Sequence, residues 1–249
     1  MKSVNNPMNM KLIRPLALAF LVLIAVQTLK SQVSKGEGNL KTEIRELVGF
    51  NEIIAQGRFD LTLVQGEKEG IRIETNENLL DFFQTRVDGK TLYISMTADI
   101  RKYTALNVTV SIKDLKKIIL LNEISLSSNS VIHFDELSIF SGGMSKLNLE
   151  VYATKLDVQI ADGTYAHFKG YAESLIVKAH DETEFNAFDM ESENCQILSS
   201  GLTEVMVNVQ KDLKLMVSGS SNVYYIGQAE ISERIFSSTG FIVKRKKTE

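Results

Sequence analysis

The stretches LSIFSGG (137–143), LDVQIADG (156–163) and LIVKAHDE (175–182) decide how this chain folds. Their first residues, Leu137, Leu156 and Leu175, stand 19 apart, and each opens an alternating run that ends in a small polar tip. Alternation puts residues two apart on one face of an extended strand. Working outward, CQILSSG opens one residue late at Cys195, LKLMVSGSS opens at Leu213, and IILLNE opens an earlier turn at Ile118. The pairs Ile118/Leu120, Leu137/Ile139, Leu156/Val158, Leu175/Val177, Cys195/Ile197 and Leu213/Leu215 make one inward face. A second follows the tips as Leu147/Leu149, Ala166/Phe168, Phe185/Ala187, Val205/Val207 and Val223/Tyr225. Two apolar faces in so short a repeat are buried only by the repeats above and below. The expected fold is therefore all-β, a right-handed parallel β-helix (β-solenoid) of about seven coils with a strand and short-helix N-terminal cap. A leucine-rich repeat has a similar period but needs a helical return, whereas here the return half alternates.

At 249 residues the chain suits one sizeable all-β domain. Hydrophobic content of 44% and charged content of 24% exclude a disordered chain and a multi-span membrane protein. The net charge of −3 hides an asymmetry, because Lys2, Lys11, Arg14 and Lys30 are accompanied by no acid in the first 30 residues. The mildly acidic body that remains offers no electrostatic footprint for nucleic acid. A single cysteine, Cys195, excludes an intrachain disulfide and a multi-cysteine metal site. It takes the place of an inward leucine and reads as a small buried hydrophobe. His133, His167 and His180 fall at different phases of the repeat and form no histidine ladder. No cofactor and no metal are expected.

In chain order, residues 1–30 read as a signal peptide or N-terminal anchor: Lys11 and Arg14, then the apolar run Leu16 to Val26, then Gln27 and Thr28. That run is well short of the ~20 residues that span a bilayer as a helix. The missing small-residue cleavage pattern after Val26 leaves an uncleaved anchor as the alternative. The absence of cysteine near residue 27 excludes a lipid-anchored form. Residues 31–38 (SQVSKGEG) read as a linker, and residues 39–243 as one solenoid domain, with 39–117 the cap and first strands and 118–243 the repeats. Asp88-Gly89 suits a two-residue hairpin turn, and Asn76 or Asn78 is placed to cap a short helix carrying Leu79 and Leu80. Residues 244–249 form a basic tail, a charged end that opposes strand addition.

The segment F-x-x-I-x-x-x-G, present as Phe50, Ile53 and Gly57, is followed by LTLVQG (61–66), ENLL (77–80) and serine-glycine-tipped repeats. Together these resemble the auto-transporter adhesin head GIN domain family of Bacteroidetes-type bacteria, over residues 38–243. The resemblance implies an exported β-helical domain of the cell envelope, in the periplasm, on the outer-membrane surface or secreted. It carries over no catalytic residue. Asp162-Gly163 and Asp181-Glu182 depart from the Ser-Gly tips of the family.

Two columns of residues are candidates for function. Asp162 and Asp181 share a phase on adjacent coils, so they should stand one rung apart, ~4.8 Å. That is close to the ~5–5.5 Å carboxyl separation of retaining glycosidases. The competing explanation is a turn aspartate bonding its own backbone, and a calcium site would need further aligned carboxylates. Tyr152 and Tyr171 share another phase, which Met190 continues. Such tyrosines either lie flat against sugar rings or pack into a corner of the solenoid. The expected function is a non-enzymatic binding or adhesion-type module whose partner is glycan or an envelope protein, with membrane contact only through an uncleaved N-terminal segment. A polysaccharide-active enzyme and a structural scaffold are the alternatives.

Overall fold

The computed structural model describes residues 32–246, so the expected signal peptide or anchor at 1–30 lies outside the described residues. The first half holds β1 (Gln32–Lys35), β2 (Leu40–Arg45), β3 (Glu52–Gln65), β4 (Gly70–Asn76), a 3-10 turn at Glu77–Phe82, β5 (Phe83–Asp88), β6 (Thr91–Met96), β7 (Ala98–Lys102) and β8 (Leu106–Ile112). The second half continues with β9 (Lys117–Ser128), β10 (Ile132–Gly142), β11 (Lys146–Ile160), β12 (Tyr165–His180), β13 (Thr183–Ser200) and β14 (Thr203–Gly219). It closes with β15 (Asn222–Ile226), β16 (Glu230–Ser238) and β17 (Ile242–Lys244).

From β9 onward the strands stack in parallel, which makes the chain a β-solenoid of about seven turns. Leu137, Leu156, Leu175, Cys195 and Leu213 face one another on successive rungs. The first of these coils departs from the expected alignment. Ile118 faces Ile139, and Leu120 faces Ser141, because the stretch from Leu126 to Ile132 holds two residues more than its counterpart from Leu147 to Val151. Each coil also has a third inward run beyond the two expected: Ile132/Phe134, Val151/Ala153, Gly170/Ala172 and Met190/Ser192 are in register. This run is rich in glycine, alanine and serine, so its hydrophobic contrast is weak.

The N-terminal part belongs to the same stack. β3 pairs in parallel with β9 along Glu52–Leu63, while its other edge takes β6 and then β8. β3 is thus a coil in its own right, 65 residues from its partner in β9 instead of 19. β5 and β6 form the expected antiparallel hairpin, with Gly89 at φ +60 in its turn. Antiparallel β4 and β2 extend the edge.

The expected short helix is a 3-10 turn that buries Leu79 and Leu80, and neither asparagine caps it. The Asn76 carboxamide accepts from Thr104 N at 2.8 Å and donates to Gly38 O. The Asn78 side chain accepts from Glu37 N and donates to Lys35 O, both at 2.8 Å. These bonds tie down the segment expected to be a linker, and Gln32–Lys35 there forms a strand parallel to β7. At the other end, Arg234 stands opposite Leu215 and Lys244 opposite Tyr225, so charge occupies positions that are apolar in earlier coils. Lys244 and Arg245 lie over the rings of Tyr225 and Tyr224, at 5.6 and 3.6 Å. Charges so placed discourage a further strand from adding.

One corner is lined by a buried hydroxyl ladder, Ser145, Thr164, Thr183, Thr203 and Ser221. Most of these hydroxyls satisfy tip carbonyls. Ser145 Oγ donates to Asn122 O at 2.9 Å, Thr164 Oγ1 to Gly143 O at 2.8 Å, and Ser221 Oγ to Ser218 O at 2.7 Å. Thr203 pairs with the Ser199 hydroxyl. Thr183 Oγ1 is the one buried side-chain polar atom among the described residues without a partner. A buried unmatched hydroxyl costs about 1–3 kcal/mol, and valine replaces it with a methyl of similar shape. Thr183→Val is therefore expected to raise stability by about 1 kcal/mol. The urea midpoint measures this, and a lowered midpoint is the contrary result.

Candidate functional site

The aromatic column begins one rung earlier than Tyr152. His133 faces Tyr152, and Tyr152 faces Tyr171, on β10, β11 and β12. The ring centroids are 5.6 and 6.5 Å apart, tilted by 39° and 37°. Because Ile132, Phe134, Val151 and Ala153 point inward, alternation turns the three rings outward. Tyr152 is 44% exposed and Tyr171 half-buried, so the tyrosines form a surface instead of packing into a corner of the core. Gln65 fixes the head of the column, its Oε1 accepting from His133 N and its Nε2 donating to His133 O, each at 2.8 Å.

Met190 does not continue this column. It faces Gly170 and is fully buried, while Glu191 stands opposite Tyr171. The cause is a bulge: β12 and β13 slip by one residue between His167 and Lys169. On β13 the extra residue is accommodated by a local turn in which Asn186 Oδ1 accepts from Phe188 N at 3.2 Å. His133 was available to sequence reasoning, since it precedes Tyr152 by the same 19 residues that separate the tyrosines.

The column lies in an open groove of ≈ 460 Å³, whose lining includes Asp114, Asp135, Thr154 and Glu173 beside the rings. Three carboxylates and no lysine or arginine line it. Beyond Tyr171, Lys211 Nζ donates to Glu193 Oε2 at 2.7 Å. That bond, and then the Tyr171 hydroxyl, hold the Glu193 carboxyl below its usual range. Burial, followed by the neighbouring Glu193, pushes the Tyr171 phenol up. Tyr171 therefore stays a neutral donor across physiological pH. An adjoining depression shares Asp114 and Asp135 and adds Lys116, Lys155 and Asp157. The Asp157 carboxylate is gripped there by Lys178 at 2.8 and 3.0 Å.

Asp162 and Asp181 sit elsewhere, exposed at the tips of β11 and β12. Both backbones are left-handed, with φ of 57° and 54°. They belong to a column that also holds Asn122 (79°), Gly143 (91°), Gly201 (84°) and Gly219 (74°). Aspartate, asparagine and glycine are the residues that tolerate this conformation. A Cβ at Gly143 would lie 2.5 Å from Asn122 O, and one at Gly219 would lie 2.6 Å from Gly201 N, so glycine is needed where rungs crowd. The departures from the Ser-Gly tip are thus turn residues of another kind. The two aspartates line a separate depression with Met144, Tyr165, Glu182 and Leu202, and the structure does not bring them to the face that carries Tyr152 and Tyr171. Among the described residues, no group of three or more histidine, cysteine or acidic side chains is arranged to hold a metal ion. Cys195 is buried, and desolvation pushes its thiol far up.

A sequence profile of the family described as "Putative auto-transporter adhesin, head GIN domain" matches residues 49–229. The chain belongs to this family. Solved structures share the head GIN fold at low identity. A "putative adhesin" from Bacteroides fragilis NCTC 9343 is 19% identical with a TM-score of 0.76, covering 86% of this chain and 99% of that one. A "putative adhesin" from Parabacteroides merdae ATCC 43184 is 21% identical with a TM-score of 0.67, covering 86% of this chain and 100% of that one. A "putative lipid binding protein" from Parabacteroides distasonis ATCC 8503 is 22% identical with a TM-score of 0.65, over the same 86% and 100%. No curated protein matches the sequence.

Proposed function

We propose that this head GIN domain is an exported, non-enzymatic binding module of the cell envelope that holds glycan against the His133–Tyr152–Tyr171 face. The observation that carries the reading is the outward aromatic column, three rings on consecutive rungs beside hydrogen-bonding carboxylates. Aromatic faces stack on the apolar faces of sugar rings, and carboxylates accept from sugar hydroxyls. The family description as an adhesin and the basic, apolar N-terminal stretch support export and surface binding. One relative is described as lipid-binding, but a phosphate headgroup would meet three carboxylates and no lysine or arginine in this groove.

A glycan array probed with the protein and with Tyr152→Ala/Tyr171→Ala tests the proposal. Each stacking ring contributes about 0.5–1.5 kcal/mol, so losing both should weaken binding about tenfold or more. The circular dichroism spectrum should stay unchanged, because both side chains face outward. A silent array, or equal signals from the two proteins, would overturn the glycan reading.

A further inference from the structure

We infer that the ligand of this groove is a linear polysaccharide, uncharged or amine-bearing, lying along the solenoid axis with one sugar on each of three rungs. The inference rests on the glycan reading above and adds direction, length and charge.

Direction follows from the register. His133, Tyr152 and Tyr171 are cross-strand partners, so the line joining them crosses the strands and runs up the stack. A ligand lying along one strand would meet a single ring, since the residues flanking each ring on its strand point into the core. Only a chain whose flat faces repeat at about the rung spacing, ~4.8 Å, engages all three rings. The observed centroid spacings of 5.6 and 6.5 Å fit such a repeat with slight tilting.

Length follows from the bulge. The rung after Tyr171 carries Glu191 in place of a ring, and the Lys211–Glu193 pair stands beside it. The stacking surface therefore ends after three rings.

Charge follows from the lining. Asp114, Asp135 and Glu173 flank the rings, and no lysine or arginine lines the groove to offset them. Lys116 and Lys155 belong to the adjoining depression, which has acids of its own in Glu136 and Asp157. Carboxylates accept from hydroxyls and ammonium groups and repel uronate, sulfate and phosphate. An anionic polymer is the ligand this surface disfavours.

Titration calorimetry of the full chain with three oligosaccharide series, each from one to six sugars, tests the inference: cello-oligosaccharides, chitosan oligomers and oligogalacturonates. Affinity should climb about three- to tenfold per sugar up to the trimer, then level off. Oligogalacturonates should bind at least tenfold more weakly than the neutral series at low salt. Tyr152→Ala, which removes the central ring, should abolish the gain from monomer to trimer, and Tyr152→Phe should restore it. Monomers binding as tightly as trimers, or oligogalacturonates binding best, would overturn the inference and leave the glycan reading standing. No binding in any series would take down both.

Discussion

Gly170→Ala is expected to lower unfolding free energy by about 3–5 kcal/mol, the range of the most damaging single substitutions. Gly170 lies in β12 at φ +110, a conformation that side chains rarely adopt. Its partner across the ladder is Val151, and an added Cβ would fall on the Val151 carbonyl oxygen, 3.0 Å from the carbonyl carbon. Neither rung can withdraw, because the hydrogen bonds on both sides fix the strand spacing near ~4.8 Å. Backbone strain alone costs on the order of 1–3 kcal/mol, and the overlap adds to it. Gly49→Ala separates the two effects, since Gly49 is also left-handed at φ +83 but has nothing within 4 Å of the new atom. It should lose only about 1–2 kcal/mol. Equal losses in guanidinium unfolding would count against the overlap. The same Cβ would sit 3.2 Å from Tyr152 Cε2, so Gly170→Ala should also displace the central ring and weaken glycan binding. Gly49→Ala should leave binding alone.

How far the fold can be read in advance depends on whether its pattern repeats locally. The 19-residue step from Leu137 to Leu156 to Leu175 is carried directly into the register, because identical coils keep identical side chains in line. The place of β3 is not legible in that way, since its partner β9 is 65 residues away with the β4–β8 segment between them. Nor does alternation reveal a third inward run built from Gly170, Ala172 and Ser192, whose small side chains contrast little with the surface. The hydroxyl ladder looks polar in sequence yet is buried, because its oxygens serve tip carbonyls that would otherwise lack donors. For the site, the shared phase of Tyr152 and Tyr171 is plain in the spacing, but which way the rings point depends on how the coil turns its third corner. Matching residues by phase and not by type brings His133 into the column. Met190 illustrates the converse, where a one-residue bulge moves a side chain from the expected face into the core.

Phe168→Ala should cost about 3–5 kcal/mol, the usual penalty for emptying an aromatic site in a packed core. Phe168 is fully buried, and its ring stacks on Phe185 at 5.4 Å and 29°. Its column shows why repacking cannot rescue the loss. Leu149 faces Phe168, while on the neighbouring column Ala166 faces Phe185, so the second column sets a large side chain beside a small one on the next rung. The two phenylalanines fill space that Ala166 and Ala187 leave, and truncating either opens a void its neighbours are too short to close. The pair should couple: Phe168→Ala combined with Phe185→Ala should cost about 0.5–1.5 kcal/mol less than the two singles added. Strict additivity would show that each ring packs independently of the other. The denaturant slope bears on a further question. If the coils unfold as one unit, Phe168→Ala shifts the midpoint at constant slope, whereas a shallower transition would mean that a central cavity uncouples the coils on its two sides. The continuous parallel stacking of β11 to β14, bulges included, favours constant slope, because no rung there can open without exposing the apolar faces of its neighbours.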